Sequence, residues 1–243
     1  MFRIGLDAGH GGSSSGTYSV NTSNDGLFEK DYALDLCLKI HSRLVEHGFK
    51  TVLTRKTDIN PGNTSERAQI CIDAKCDYAL SIHFNGFKNE SANGAEVFVP
   101  YGEKYGNIEA GYWKYLSEFF KLRAPFARSN SYYDRNDVFD KKLNLSTKRF
   151  DAYDNQKDYF GFIRTCWEKG VSADLLEICF LTNPKDFKTY TEKTNEIANA
   201  IARSIVEGFG KKWEPKEHQG KNVDKVIKPK IFVKGFNRID MVN

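Results

Sequence analysis

The sequence contains no long uninterrupted apolar run and no block of clustered basic residues. A helix that crosses a membrane needs about 20 consecutive apolar residues, so we expect no stable membrane insertion. The 36 Lys and Arg residues are spread along the chain and exceed the 32 Asp and Glu residues only enough to give a net charge of +4. Nucleic-acid-binding domains concentrate basic residues on one face, so we expect no nucleic-acid partner. The mild positive excess is compatible with weak attraction to polyanionic surfaces.

The sequence also lacks a regular cysteine framework. Its five cysteines are odd in number and irregularly spaced, whereas disulfide-stapled domains carry even numbers. A free cysteine in an apolar segment behaves as a small hydrophobic residue, so the chain is suited to a reducing compartment. Residues Met1 to Asp7 enter a strand pattern directly, without the basic and apolar regions of a secretory signal. We therefore predict synthesis in the cytoplasm without a signal peptide.

The chain alternates between strand and helix patterns. We predict strands over 2–7, 51–54, 78–83, 95–99 and 175–180, and helices over 30–47, 65–75, 108–121 and 193–207. Gly48 stands where a helix C-terminal cap belongs, and Asn63 or Thr64 is the N-cap candidate of the next helix. Residues 123–158, rich in Asn, Asp, Lys and Tyr, predict long loops with at most one short helix. The alternation predicts one α/β domain with a mainly parallel sheet flanked by helices.

Polar segments fall at the ends of the predicted strands, where the loops of a parallel sheet leave an open crevice. Residues 7–12 (Asp-Ala-Gly-His-Gly-Gly) follow the first strand, and residues 81–85 (Ser-Ile-His-Phe-Asn) end the third. Hydrolytic zinc sites take three ligands from His, Asp or Glu and leave a fourth position for water. His10, His83 and Glu29 are donors of that kind. Taken singly, each residue is weak evidence for a metal site. A His after a strand usually only forms hydrogen bonds, and a Glu before a helix usually only interacts favourably with the helix dipole.

The order of several motifs along the chain resembles one enzyme family. The set comprises Asp7 to Gly12, Glu29-Lys30, Thr54-Arg55, Arg67, Ser81 to Asn85, and Glu177-x-x-Phe180 to Asn183. Over about residues 2–209 this ordered set resembles the zinc-dependent N-acetylmuramoyl-L-alanine amidases. The resemblance implies Zn2+ as cofactor at the carboxyl edge of the sheet, with His10, Glu29 and His83 as its ligands. It further implies Glu177 as the catalytic carboxylate, and peptidoglycan, cut between N-acetylmuramic acid and L-alanine, as substrate.

The chemistry of the residues is compatible with those roles. Zinc lowers the pKa of a bound water and polarises a carbonyl, and a nearby carboxylate such as Glu177 can move the proton. A structural ion pair is the alternative for Glu177 on its apolar strand. Arg55 can orient carboxylates or hold loops around the site, whereas surface salt bridging is our prediction for Arg67. Asn85 either positions substrate or forms a turn.

Two features depart from the family pattern. Cys179 stands where the family usually has Gly, and it motivates a rival mechanism with a cysteine nucleophile. No neighbouring group would lower the pKa of this thiol, which disfavours that mechanism. The stretch 101–160 also departs, and its aromatic pair Tyr132-Tyr133 either stacks on sugars or anchors buried loops; we predict anchors.

The biological role and the domain division complete the predictions. We predict a catalytic domain over 1–213 and, over 214–243, a linker and tail that is either disordered, a docking arm or the start of a wall-binding module. Because a wall-cleaving enzyme without a signal peptide would be stored in the cytoplasm until its release, we predict a lytic enzyme of the endolysin type. Its mild positive charge can also attract it to anionic wall polymers. The alternatives are a host autolysin, a zinc peptidase on the stem peptide, and a non-enzymatic wall-binding module. No sequence feature sets the oligomeric state.

Overall fold

The computed structural model describes residues 1–100, 106–123, 126–127, 136–140, 145–149 and 160–215. Residues Met1–Trp213 form one compact unit. The predicted tail lies outside the described residues from position 216 onward, as does the Tyr132-Tyr133 pair, so both remain predictions. Among the described helices, none combines the length and the apolar character needed to cross a membrane.

The prediction of an α/β domain with a mainly parallel sheet is confirmed. The strands are β1 Arg3–Ala8, β2 Lys50–Leu53, β3 Tyr78–Asn85, β4 Glu96–Phe98, β5 Phe126–Ala127, β6 Asn136–Asp140, β7 Leu145–Arg149 and β8 Ser172–Phe180. The helices are α1 Thr22–Asp25, α2 Glu29–Glu46, α3 Thr64–Asp73, α4 Asn107–Leu116, α5 Gly161–Glu168 and α6 Pro184–Gly208. The sheet order is β2-β1-β3-β8-β4-β5-β7-β6. Strands β2, β1, β3 and β8 are mutually parallel, so their carboxyl ends meet at one edge.

Helices cover both faces of this parallel part, as the continuous apolar character of its strands requires. Helices α2, α4 and α6 bury one core with Leu36, Ile40 and Ile201. Helices α3 and α5 bury a smaller core on the other face, where Cys71 and Cys166 lie among alanines and Phe162. All five cysteines are free and buried, which agrees with their predicted use as small hydrophobic residues.

Four helices end in the same hydrogen-bonded cap, in which a left-handed residue reverses the chain. In α2 the amide of Phe49 donates to the carbonyl of Leu44 at 3.0 Å, and Gly48, the predicted cap residue, has φ +76°. Helix α3 repeats the cap with Lys75 at φ +55°, a conformation that costs a residue with a side chain more than it costs glycine. Helices α5 and α6 repeat it with Gly170 and Gly210. The first three of these caps lead directly into strands β2, β3 and β8.

The prediction of loops between 123 and 158 is wrong for the residues that the structure describes there. Strands β5, β6 and β7 extend the sheet, with β6 and β7 paired antiparallel. Strand β5 has only two residues, and the sequences of β6 and β7, such as Leu-Ser-Thr-Lys-Arg in β7, contain few apolar residues and so lack the pattern that signals a buried strand.

Several helices also differ from the predictions: the four-residue α1 was not predicted, and α4 ends at Leu116, five residues before the predicted end. Helix α5 was not predicted, because it has only eight residues and buries only Phe162, Ile163 and Cys166. Helix α6 begins at Pro184, nine residues before the predicted start, and residue Lys193 inside it is non-helical. The Asn183 side chain caps α6 by accepting from the amides of residues 185 and 186. Asn63 caps α3 in the same way, as predicted.

Candidate active site

The structure brings His10, Glu29 and His83 together at the carboxyl edge of the parallel strands. His10 follows β1, His83 lies near the end of β3, and Glu29 is the first residue of α2. Glu29 Oε2 lies 3.2 Å from His10 Nε2, and Glu29 Oε1 lies 2.9 Å from His83 Nδ1. The two imidazole rings meet edge to face, with centroids 5.1 Å apart. One ligand atom from each residue lies within 4.8 Å of the other two.

The Glu29 carboxylate is buried and held from four sides. Besides the two imidazoles, it accepts hydrogen bonds from the backbone amides of Thr17 at 2.8 Å and Phe84 at 3.0 Å. Burial alone would raise the pKa of Glu29, but the hydrogen bonds and charges of His10 and His83 outweigh burial and lower this pKa well below its usual range. The carboxylate is therefore ionised near neutral pH, as a metal ligand must be.

The geometry suits a tetrahedral ion. With bonds of about 2.0–2.2 Å, ligand atoms around a tetrahedral zinc lie about 3.3–3.6 Å apart. The separation of 3.2 Å between His10 Nε2 and Glu29 Oε2 is close to that range, and the separation of 2.9 Å between His83 Nδ1 and Glu29 Oε1 is shorter by a few tenths of an ångström. Two imidazoles and one carboxylate are a donor set found in hydrolytic zinc sites, which leave one position open. The residues present therefore fit zinc.

His10 has a left-handed backbone conformation, and glycines pack closely around the cluster. Its φ is +59°, in the left-handed region that residues with side chains seldom adopt. A Cβ at Gly9 would lie 2.5 Å from His83 Cε1, and a Cβ at Gly16 would lie 2.4 Å from Glu29 Oε2. Close packing of the cluster therefore requires glycine at both positions.

Ser14 is a site residue that sequence reasoning missed. Its Oγ lies 3.0 Å from His10 Nδ1, the ring nitrogen that faces away from Glu29. A partner on that nitrogen fixes the ring orientation and leaves Nε2 free to bind an ion. No spacing rule singles out this serine from the Ser13-Ser14-Ser15 run.

Glu177 lies beside the cluster, on the strand next to His83. The two residues are direct partners in the parallel register of β3 and β8, which places their side chains on the same face. Burial by itself lowers the pKa of His83, but the hydrogen bond and charge of Glu29, with a further contribution from Glu177, raise it to about 9. Glu177 thus lies near enough to act electrostatically on the cluster.

Both predicted arginines are buried beneath the site. Arg55 donates to the carbonyls of Ala8, Gly9 and Lys30 at 2.7 to 2.9 Å, which agrees with a loop-holding role. The prediction of surface salt bridging for Arg67 is wrong, because this side chain is 5% exposed and pairs with buried Asp7 at 3.0 Å.

Asp7 is a second residue that sequence reasoning missed as a separate element of the site. Its carboxylate accepts hydrogen bonds from Thr54 Oγ1 at 2.6 Å, Ser81 Oγ at 2.7 Å and Arg67 Nη1 at 3.0 Å. Since these partners come from three different elements, Asp7 joins the carboxyl ends of β1 and β3 to α3. The sequence motif that contains Asp7 was part of the family resemblance, but the buried hydrogen-bond network around its carboxylate was not predicted.

Asn85 is the last residue of β3 and lies in the strand rather than in a turn. Its amide donates to Glu96 Oε2 at 2.7 Å, and the other oxygen of Glu96 accepts from Arg123 at 2.7 Å. This chain of contacts ties β3 to β4 at the edge of the site. Substrate positioning by Asn85 remains a prediction.

An open cleft of about 670 Å³ gives access to these groups. Its lining includes His10, His83 and Glu177 on the sheet side, and Asn60, Arg67 and Phe160 on the side of α3 and α5. A substrate in this cleft would meet the ion site and the Glu177 carboxylate together.

Comparisons with known proteins match most of the chain to one family. Residues 4–207 match the family described as N-acetylmuramoyl-L-alanine amidase. The amidase AmiA of Salmonella typhimurium is 28% identical over 226 residues, which cover 84% of this chain and 75% of AmiA. A probable N-acetylmuramoyl-L-alanine amidase, AmiB of Haemophilus influenzae, is 34% identical over 111 residues, and these make up only 24% of AmiB. The solved structure of the amidase AmiC2 of Nostoc punctiforme superposes with a TM-score of 0.65 at 25% identity, covering 86% of this chain and 98% of AmiC2.

Proposed function

The chain belongs to the N-acetylmuramoyl-L-alanine amidase family, and from that membership we propose that it is a zinc enzyme acting on peptidoglycan. The bond cut is the amide between N-acetylmuramic acid and L-alanine. The observation that carries the proposal is the cluster of His10, Glu29 and His83 beside Glu177 in one open cleft.

The proposed mechanism divides the work among these residues. A bound zinc ion lowers the pKa of water and polarises the amide carbonyl. Glu177 accepts the proton of the attacking water and returns it to the departing amide nitrogen. His10, Glu29 and His83 would hold the ion, and Ser14 orients the His10 ring through Nδ1. Glu29 enters the reaction already ionised, because its amide and imidazole partners keep it so.

The substitution Glu177→Gln tests the mechanism. It should retain one zinc per chain and reduce hydrolysis of purified peptidoglycan by about 10²- to 10⁴-fold, since it removes a proton acceptor without removing an ion ligand. Glu109→Gln is the control, because Glu109 is a buried carboxylate outside the cleft lining that caps α4 through its acceptor oxygen, which Gln retains. A fully active Glu177→Gln variant would show that the proton goes elsewhere.

The identity of the bond is tested by end-group analysis of digested peptidoglycan. The amidase activity creates new amino termini on L-alanine, whereas a zinc peptidase would create termini within the stem peptide. Removal of zinc by a chelator should abolish either activity and leave the domain folded, because the two cores on either side of the sheet exclude water without the ion. No zinc in the purified protein and no end groups after digestion would instead favour the non-enzymatic wall-binding module.

We also propose a lytic role of the endolysin type, with a host autolysin as the alternative. Five free, buried cysteines support folding and storage in a reducing compartment. The purified protein should lyse accessible walls from outside while its expression alone leaves the producing cells intact. Lysis on expression alone would favour the autolysin role. Peptidoglycan is the proposed partner, with anionic wall polymers as a weaker attraction.

A further inference from the structure

We propose that Arg55 is a positioning residue that sets the zinc affinity of the site by fixing the separation between the segments that carry His10 and Glu29. The inference rests on the proposed zinc function and adds to it a residue that touches neither ion nor substrate. Arg55 is 2% exposed and is one of the largest fully buried side chains.

The contacts of Arg55 join the two ligand segments through one nitrogen atom. Its Nη2 donates to the carbonyl of Gly9 at 2.8 Å and to the carbonyl of Lys30 at 2.7 Å. Gly9 directly precedes His10, and Lys30 directly follows Glu29. A single planar group therefore spans the gap between the loop after β1 and the first turn of α2.

The loop after β1 depends on such donors. Its last ladder contact is the bond from the Gly9 amide to the Ile82 carbonyl at 2.9 Å. Beyond this point the chain turns into the left-handed conformation of His10, and the carbonyls of Ala8, Gly9 and His10 accept from guanidinium groups instead. Buried carbonyls without a donor are costly, so loss of these bonds would release the loop that carries His10.

Arg67 is buried nearby but donates hydrogen bonds to a different set of acceptors. It donates to the carbonyls of Ala8, His10 and Gly62, and it pairs with Asp7. It thus fixes the loop after β1 against the cleft wall, whereas Arg55 is the arginine whose hydrogen bonds also reach the segment of Glu29.

Arg43 provides a matched control on the other side of the molecule. It is 4% exposed and donates to Asn199 Oδ1 at 2.6 Å and Asn195 Oδ1 at 3.0 Å, joining α2 to α6. Removing its donors should destabilise the fold without altering the ion site. Stability and zinc affinity can therefore be separated by comparing the two arginines.

The experiment measures zinc dissociation constants by competition with a chromophoric chelator, together with thermal unfolding. Arg55→Met keeps the apolar stem and removes every donor, and it should weaken zinc binding about 10- to 100-fold. Arg55→Lys should recover part of the affinity, because an ammonium can bridge two carbonyls. Arg43→Met should lower the melting temperature and leave zinc affinity within about twofold, since its partners lie outside the ligand shells.

The outcomes separate this inference from the proposed function. A wild-type protein that binds no zinc would overturn both. Wild-type affinity in Arg55→Met, with a fall in melting temperature like that of Arg43→Met, would overturn the positioning role alone. Should Arg55→Met fail to fold, the Nη–H resonance of Arg55 in the wild-type protein, which reports on the bridging Nη2, provides the test. It should shift on zinc addition while that of Arg43 stays fixed, and an unchanged Arg55 resonance would refute the proposal.

Discussion

Gly16 and Gly26 form a natural pair for testing how tightly the ion site is packed. Their φ angles are +70° and +69°, so an alanine at either position meets the same backbone strain. Around Gly26 a new Cβ would find nothing within 4 Å. At Gly16 it would lie 2.4 Å from Glu29 Oε2 and 2.7 Å from His10 Cδ2. A larger loss in Gly16→Ala than in Gly26→Ala is therefore expected from the contacts of the new Cβ with Glu29 and His10.

The expected losses of unfolding free energy follow from the backbone strain at both positions and the steric contact at Gly16. The left-handed backbone destabilises the folded state of an alanine variant by about 1–2 kcal/mol. The lower conformational entropy of its unfolded chain offsets about 0.4–1 kcal/mol of this loss. Gly26→Ala should therefore lose roughly 1 kcal/mol of unfolding free energy, or about 2–4 °C in melting temperature for a domain of this size. Gly16→Ala should lose a further 1–3 kcal/mol, roughly the usual cost of overpacking.

The affinity for zinc should separate the variants more sharply than stability does. Glu29 cannot move away from a new methyl group without breaking its bonds to the amides of Thr17 and Phe84. We expect Gly16→Ala to bind zinc at least about tenfold more weakly, comparable to losing a supporting contact of a ligand, and Gly26→Ala to bind like the wild type. Chelator competition and circular dichroism melting measure the two quantities. Equal affinities and equal melting temperatures in the two variants would refute the packing argument.

Three further predictions address single side chains. Ser14→Ala should weaken zinc binding by up to about tenfold at unchanged melting temperature, because the His10 ring loses its orienting partner; unchanged affinity would mean that the ring is held by packing. Lys75→Gly should raise the unfolding free energy by about 0.5–1 kcal/mol by relieving the left-handed cap of α3, as denaturant titration can show; a loss of stability would contradict the cap assignment. Cys179→Ala should retain activity within about twofold, since burial and the charges of Asp186 and Glu177 hold the pKa of this thiol well above its usual range and exclude a thiolate nucleophile; an inactive but folded, zinc-loaded variant would revive the cysteine mechanism.

The parallel core was predictable because its signals are local. Strands β1, β3 and β8 read as short apolar runs, and α2 carries an apolar stripe that ends at a glycine. The proximity of His10 and His83 was predictable because the carboxyl ends of parallel strands share one edge. Glu29, the first residue of α2, joined the predicted ligand set through the resemblance of the ordered motifs to the amidase family.

Arg67 shows why burial of a charged side chain was not predicted. Its helix buries Arg67, Ala68 and Cys71, which lie on one face at helical spacing. The position of Arg67 four residues before Cys71 was available in the sequence, but the residue type suggested an exposed position. Its burial is explained by the ion pair with Asp7 at 3.0 Å and by hydrogen bonds to the carbonyls of the loop after β1, and contacts across about 60 residues have no local signature in the sequence.

The sequence contains a start signal for helix α6 that periodicity alone does not detect. Asn183-Pro184 combines an N-cap residue with proline at the first helical position, a typical helix start. The apolar periodicity is regular only after Lys193, where the helix is interrupted. A prediction based on periodicity alone therefore began too late.

The repeated caps at the ends of α2, α3 and α5 bear on how this scaffold can change. These caps lie at the amino ends of β2, β3 and β8, while the ion site and cleft lie at the opposite, carboxyl ends. Tight caps fix the spacing of the layers, and the loops at the opposite edge, apart from the close-packed loop after β1 that carries His10, remain free to vary in length and composition. Loop exchange between family members at the cleft edge should therefore alter substrate choice at little cost to folding, whereas the same exchange at the caps should disrupt the fold.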